Sequence, residues 1–236
     1  MRWMAMAGVA LALAGGVGVA QAQNDVSEVV VTGARLSEFD AGTTPSVVLR
    51  KRADNVITTV TVICDTRDPE QRKTELKTTL RALIKGAPGA GVELGVEGDD
   101  LIGRFDEANL DGAIVGGGKP DTSAVTLVLK TKIRPEDSFD SATGRITGFI
   151  KKTPKTGRTE ILGGSNWDLT LINPQQYRPT VIGLIAADAN KAAADFGPEY
   201  GVSVDGLQQP LSWYQAAPLE LALYIPYRMN VSHLRK

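Results

Sequence analysis

The 236-residue chain has one histidine, one cysteine and few aromatic side chains, with 5 Phe, 5 Tyr and 3 Trp. Each scarcity excludes a class of function. His233 stands alone in the terminal stretch SHLRK, where fraying is the expected state. A Ser-His-Asp or Cys-His unit therefore has no base, and a His/Cys zinc site lacks its ligands. With Cys64 alone, no intrachain disulfide can form. Cys64 ends the run NVITTVTVIC on the strand face of Val56, Val60 and Val62, where a thiol packs as a small apolar group and is expected to be buried. The aromatics are too few for the girdles of a transmembrane barrel, which also needs many alternating segments of roughly 10 residues. Charge is nearly balanced, with 26 Lys and Arg against 27 Asp and Glu. The chain has no basic stripe and no polybasic helix, so neither nucleic acid nor an anionic membrane surface is an expected partner.

What is present begins with a leader. Arg2 supplies a positive start, residues 5–19 an apolar, Gly-softened run, and Ala20-Gln21-Ala22 a small-x-small cleavage site. Residues 1–22 read as a secretory signal peptide, which places the mature chain in the periplasm with no integral span after cleavage. Residues 23–45 read as an N-terminal extension and linker, residues 46–231 as one α+β domain, and residues 232–236 as a tail.

Within the domain, strand-like alternation runs from Val47 through Asp65. Then DPEQ opens a helix: Asp68 is an N-cap candidate, Pro69 sits at the first position and Gln71 has capping-box spacing. Leu76, Leu80, Leu83 and Ile84 form its apolar stripe, and Gly86 reads as its stop. A short strand over residues 92–96 leads into a Gly- and Asp-rich stretch expected to be a loop or hairpin outside the core. Residues 124–133 alternate, with Val125, Leu127, Leu129 and Ile133 on one face and Thr126, Lys130 and Lys132 on the other. A helix over residues 138–152 follows, with Phe139, Ala142, Ile146, Phe149 and Ile150 at helical spacing. TEILGGSNWDLTLIN reads as a strand bulged at Gly163-Gly164. This makes two successive strand–helix–strand units, the order of a split βαβ arrangement, with mixed or antiparallel sheets and helices on one face. A third helix is expected from Asn173 as cap and Pro174 as first residue to Gly197, its face formed by Val181, Ile185, Ala189, Ala192 and Phe196. Residues 219–231 read as one long half-buried strand that Pro226 pushes towards an edge or bulge.

The acids Asp99, Asp100, Asp106, Glu107 and Asp111 cluster, but without the alternation and terminal Glu of an EF-hand loop. GAIVGGGKP misses the phosphate-loop pattern at Ala113 and Pro120. The acidic stretch is expected to be a solvated loop, with a weak Ca²⁺ site as the alternative, and the glycine-rich stretch a flexible turn. No cofactor is implied, and no pair of carboxylates is singled out for glycoside chemistry. In LSWYQ, Trp213 and Tyr214 either face a ligand or partner or pack as a strand edge.

Two resemblances add to this reading. NVITTVTVICDTRDPEQRKTELKTTLRALIKG, AVTLVLKTKIRPEDSFDSATGRITGFI, NPQQYRPTVIGLIAADANKAAADFG and LELALYIPYRMNV together resemble the SIMPL-domain family of exported bacterial proteins. That resemblance implies a periplasmic or envelope-associated, non-enzymatic protein linked to stress tolerance, acting through self-association as a homo-oligomer or through an envelope protein partner. Separately, VSEVVVTGARLSEFD is similar to the opening of mature TonB-dependent outer-membrane receptors. It implies a segment, residues 26–36, in which Val29, Val30 and Val31 add as a strand to a partner's sheet in TonB-linked uptake. The alternative is a strand that pairs within the domain.

Overall fold

The computed structural model describes residues 28–31, 46–97 and 102–234. The leader and most of the linker, with Asp99 and Asp100, lie outside the described residues.

The expected α+β class is what the chain adopts. Strand β1 (Glu28–Val31) precedes β2 (Leu49–Arg52) and β3 (Asn55–Cys64). The alternation from Val47 is thus two strands, broken at Ala53-Asp54, and they enter different sheets. Helix α1 (Pro69–Ala90) starts as expected, with Asp68 Oδ1 accepting the Gln71 N–H at 2.8 Å. It does not stop at Gly86. A Cβ at that residue would lie 3.2 Å from Phe149 Cε2, so this glycine permits close approach of a neighbouring helix. The helix ends at Gly91, in the left-handed region at φ 67°, with Gly91 N donating to Pro88 O and Val92 N to Ala87 O. That is a Schellman closure, and buried Ala87 and Val92 supply its apolar contact.

Strand β4 (Glu93–Glu97) forms a hairpin with β5 (Ile102–Arg104), and β6 (Val115–Gly116) and β7 (Ser123–Lys132) follow. The stretch between β4 and β7 was expected to stay out of the core, yet Phe105 and Leu110 are buried in it. Two isolated apolar residues in a polar segment carry no periodicity, which is why the pattern misses them. Helix α2 (Phe139–Lys152) is capped by the Ser138 hydroxyl, which accepts from Ser141 N. The expected bulged strand is instead β8 (Thr159–Gly163) and β9 (Asp168–Ile172), which pair in succession along the same edge of β3. Gly163 and Gly164, at φ 92° and 79°, turn the chain out between them.

Asn173 lies at φ 46° and makes no side-chain cap, and Gln176 Nε2 donates to Ile172 O rather than completing a capping box. Residues Pro174–Tyr177 form a 3₁₀ turn before α3 (Arg178–Phe196). On α3 Val181, Ile185 and Ala189 are buried and Ala192 is half-buried. Phe196 is exposed, its ring 6.0 Å from Tyr200. Strands β10 (Tyr200–Asp205), β11 (Ser212–Ala217), β12 (Glu220–Tyr224) and β13 (Arg228–His233) complete the chain. The single final strand expected is therefore two, separated around Pro226: β12 lies between β11 and β2, while β13 pairs β10. His233 does not fray. It pairs opposite Tyr200 in the strand register.

The main sheet runs β1-β9-β3-β7-β4-β5, with β8 beside β9 on β3. Since β3 and β7 are antiparallel and each is flanked by the strand that follows the other's helix, β8-β3-β7-β4 interleaves two split βαβ units in ferredoxin-like order. Val60, Val62 and Cys64 of β3 and Val125, Leu127 and Leu129 of β7 face α1 and α2 in one core that includes Leu80 and Ile146. A second core joins Val56, Ala142 and Leu171 to α3 and β12.

Candidate functional site

A cleft of 790 Å³ opens where the C-terminal end of α1 meets the β4–β5 hairpin and the end of β7. Ile84, Ala87, Val92, Leu94, Ile102 and Phe105 contribute its apolar lining. Gly95 helps shape the wall: a Cβ there would collide with Ile102 and the Gly103 carbonyl, so the hairpin folds flat only over a bare backbone. The charged lining consists of Glu93, Arg104, Asp106, Lys130, Lys132 and Arg134. Glu93 pairs with Lys130 at 3.1 Å, and Arg104 with Asp106 at 3.9 Å. Among the described residues, Lys132 and Arg134 have no carboxylate partner.

The turn that carries these two cations is held from below. Asp137, with its side chain only 5% exposed, takes two hydrogen bonds of 2.7 Å from Arg145 and a third of 2.7 Å from Arg134 N. Arg145 also donates to Lys132 O and to Thr131 Oγ1, whose hydroxyl donates in turn to Gly91 O at 2.9 Å. Arg52 donates to the carbonyls of Arg134 and Asp137. The Arg145 guanidinium, with the Arg134 N–H, holds the Asp137 carboxyl far below the usual carboxylate range. A buried ion pair thus ties the end of β7 to both helices.

A second polar cluster surrounds Cys64. Glu75 Oε2 accepts from Thr66 Oγ1 at 2.5 Å, Arg158 N at 3.1 Å and Cys64 Sγ at 3.4 Å, and Oε1 accepts from Gln71 Nε2 at 2.7 Å. The Thr66 hydroxyl first, then the Arg158 amide and Gln71, lower the Glu75 pKa to about 2. Cys64 is buried and its thiol donates to this carboxylate, so it is placed as a packed, hydrogen-bonded side chain.

The five residues singled out from sequence do not line the cleft. Val29, Val30 and Val31 pair opposite Leu171, Thr170 and Leu169 of β9, so this segment lies at the sheet edge and uses one side of its backbone within the domain. Trp213 and Tyr214 lie on β11, an edge strand, where Trp213 packs half-buried on the second core and Tyr214 has its ring 6.0 Å from Tyr224. Of the described loop acids, Asp111 pairs with Lys77 at 2.5 Å and Glu107 with Arg81 at 2.7 Å, both on α1, while Asp106 pairs with Arg104. Among the described residues no three His, Cys, Asp or Glu side chains converge as metal ligands, and no helix is long and apolar enough to cross a membrane. His233 faces Glu199 at 3.1 Å on the far ribbon of β10 and β13.

Sequence reasoning missed the cleft because its cations read as the solvated face of a strand. The only available signal was a basic pair, Lys132 and Arg134, followed by Asp137 in a turn. No family model, no curated protein and no solved structure matches this chain.

Proposed function

We propose that this chain is a non-catalytic, exported protein of the bacterial cell envelope, SIMPL-like in kind, that acts in the periplasm by binding. Its own copies and envelope proteins are the partners in this reading, and tolerance of envelope stress is the role the resemblance implies. The observation that carries it is the state of the carboxylates. Asp65 pairs with Arg158 at 2.6 Å, Asp111 with Lys77 at 2.5 Å and Asp137 with Arg145 at 2.7 Å, and Glu75 accepts from Thr66 and Gln71, so each of these carboxylates is engaged by groups of the fold. These groups act as anchors for loops and helix ends, as expected of a binding scaffold.

The test has two arms. The chain expressed with its leader should fractionate with the periplasm as a shortened product. The mature chain should have a molar mass above that of a monomer by light scattering, or should retain a defined envelope protein when immobilised. A strict monomer that retains no envelope protein, or a product keeping residues 1–22, would overturn the proposal.

A further inference from the structure

The cleft at the end of α1 has the size of a small-molecule site, since 790 Å³ falls in the range of roughly 300–1,000 Å³ that such sites occupy. Its polarity is graded. Ile84, Val92, Leu94 and Phe105 contribute apolar surface, and charge is confined to the groups of the hairpin and the end of β7. Of those charges, Glu93 cancels Lys130 and Asp106 cancels Arg104 across short contacts. Among the described lining residues, Lys132 and Arg134 are the two charges without an ion-pair partner, and both are positive and stand beside an apolar hollow.

These two cations are also positioned. Arg145 clamps the Lys132 carbonyl and the Asp137 carboxylate, and that same carboxylate accepts the Arg134 N–H. The backbone that carries them is thus fixed, and a ligand has only the two side chains to order. Arg134 approaches Gly91 at the end of α1, with a guanidinium nitrogen 3.8 Å from where a Cβ there would lie. The helix end offers it partial negative charge only, not a carboxylate.

We propose that this cleft binds a small amphipathic anion, an apolar body bearing one oxyanion head, with Lys132 and Arg134 holding the head and the Ile84–Leu94–Phe105 side holding the body. Carboxylate and phosphate heads share the required chemistry, and a guanidinium next to an ammonium accepts either. A cationic head on the same body meets two like charges. The inference goes beyond self-association and does not depend on it.

The experiment is calorimetric titration of the mature full chain with decanoate, decyl phosphate and decyltrimethylammonium, each below its micelle concentration. Saturable one-to-one binding of both anions is expected, with the cation at least about tenfold weaker. The double variant K132E/R134E should lose at least about tenfold in anion affinity with an unchanged melting temperature. If it fails to fold, K132Q/R134Q should show the same direction. K151E/K152E, the same charge change at the end of α2, should bind as the parent does. Equal binding of cation and anion, parental affinity in the cleft variants, or no binding of either anion would overturn the proposal. Self-association persisting in that last case would leave the envelope-protein reading intact.

Discussion

Gly157 stands where a side chain would run into the Glu75 carboxylate. Its φ of +58° is left-handed, and a Cβ built on it would overlap Glu75 Cδ and both carboxylate oxygens. The turn before β8 thus presents bare backbone to the carboxylate, and the next amide, Arg158 N, donates to it. G157A should lower stability by about 2 kcal/mol or more, from left-handed strain together with displacement of the carboxylate. Gly89, inside α1 with nothing within 4 Å of its Cβ direction, is the control. G89A should raise stability by about 0.5–1 kcal/mol, as alanine does in a helix interior. Urea midpoints for the two variants decide the matter, and equal effects would show that the glycine at the carboxylate has no special role.

Acid stability should carry the mark of Glu75. Its folded pKa is lowered from 4.5 to about 2, so its contribution is full above its ordinary value and is lost as pH falls from there towards about 2. Asp137, lowered by Arg145, acts in the same direction. The unfolding midpoint should be flat above about pH 5 and fall steeply below it. E75Q should show a lower neutral plateau and a shallower acid limb, because an amide cannot accept from four donors at once. A variant whose acid limb matches the parent's would remove Glu75 from this role.

The buried ion pair beneath the cleft should be expensive to break from one side. D137A leaves Arg145, whose side chain is 17% exposed, without its carboxylate, and unties Arg134 N. A loss of about 2–4 kcal/mol is expected, with the double variant D137A/R145A less than additive. Thermal unfolding of the four-member cycle measures the coupling, and strict additivity would deny it.

Cys64 is fully buried and hydrogen-bonded to an anion, so a bulky aromatic disulfide reagent should label it only at the rate of unfolding. Labelling of the native chain within seconds would mean that β3 is open at this end.

Core tolerance should follow burial on α3 rather than composition. Ala189→Leu, at a buried position, should destabilise by about 1–3 kcal/mol through overpacking. Ala192→Leu, at a half-buried position, should be milder, and Phe196→Ala, 58% exposed, should change stability by less than about 1 kcal/mol. Reversal of the order of the alanine variants in chemical denaturation would contradict the packing.

The sequence by itself determined what depends on near neighbours. The caps at Asp68 and Ser138 follow from a side-chain oxygen three residues before an open amide, and the alternation of β3 and β7 and the burial of Cys64 follow from a period of two. The α+β class and the succession of two strand–helix–strand units follow from those periods, whereas the strand order does not. Tertiary structure alone decided whatever needed a distant partner. Gly86 spells a helix stop until Phe149 of α2 is packed against it. Residues 219–231 spell one strand until the two halves join different sheets, where pairing with β2 and β10 outweighs local alternation. Phe105 and Leu110 are core because they pack with α1 and α2, and Lys132 and Arg134 stand at a cleft whose other lining charges pair with one another, Glu93 with Lys130 and Arg104 with Asp106. Charge balance and packing are sums over neighbours in space, and a linear pattern does not contain them.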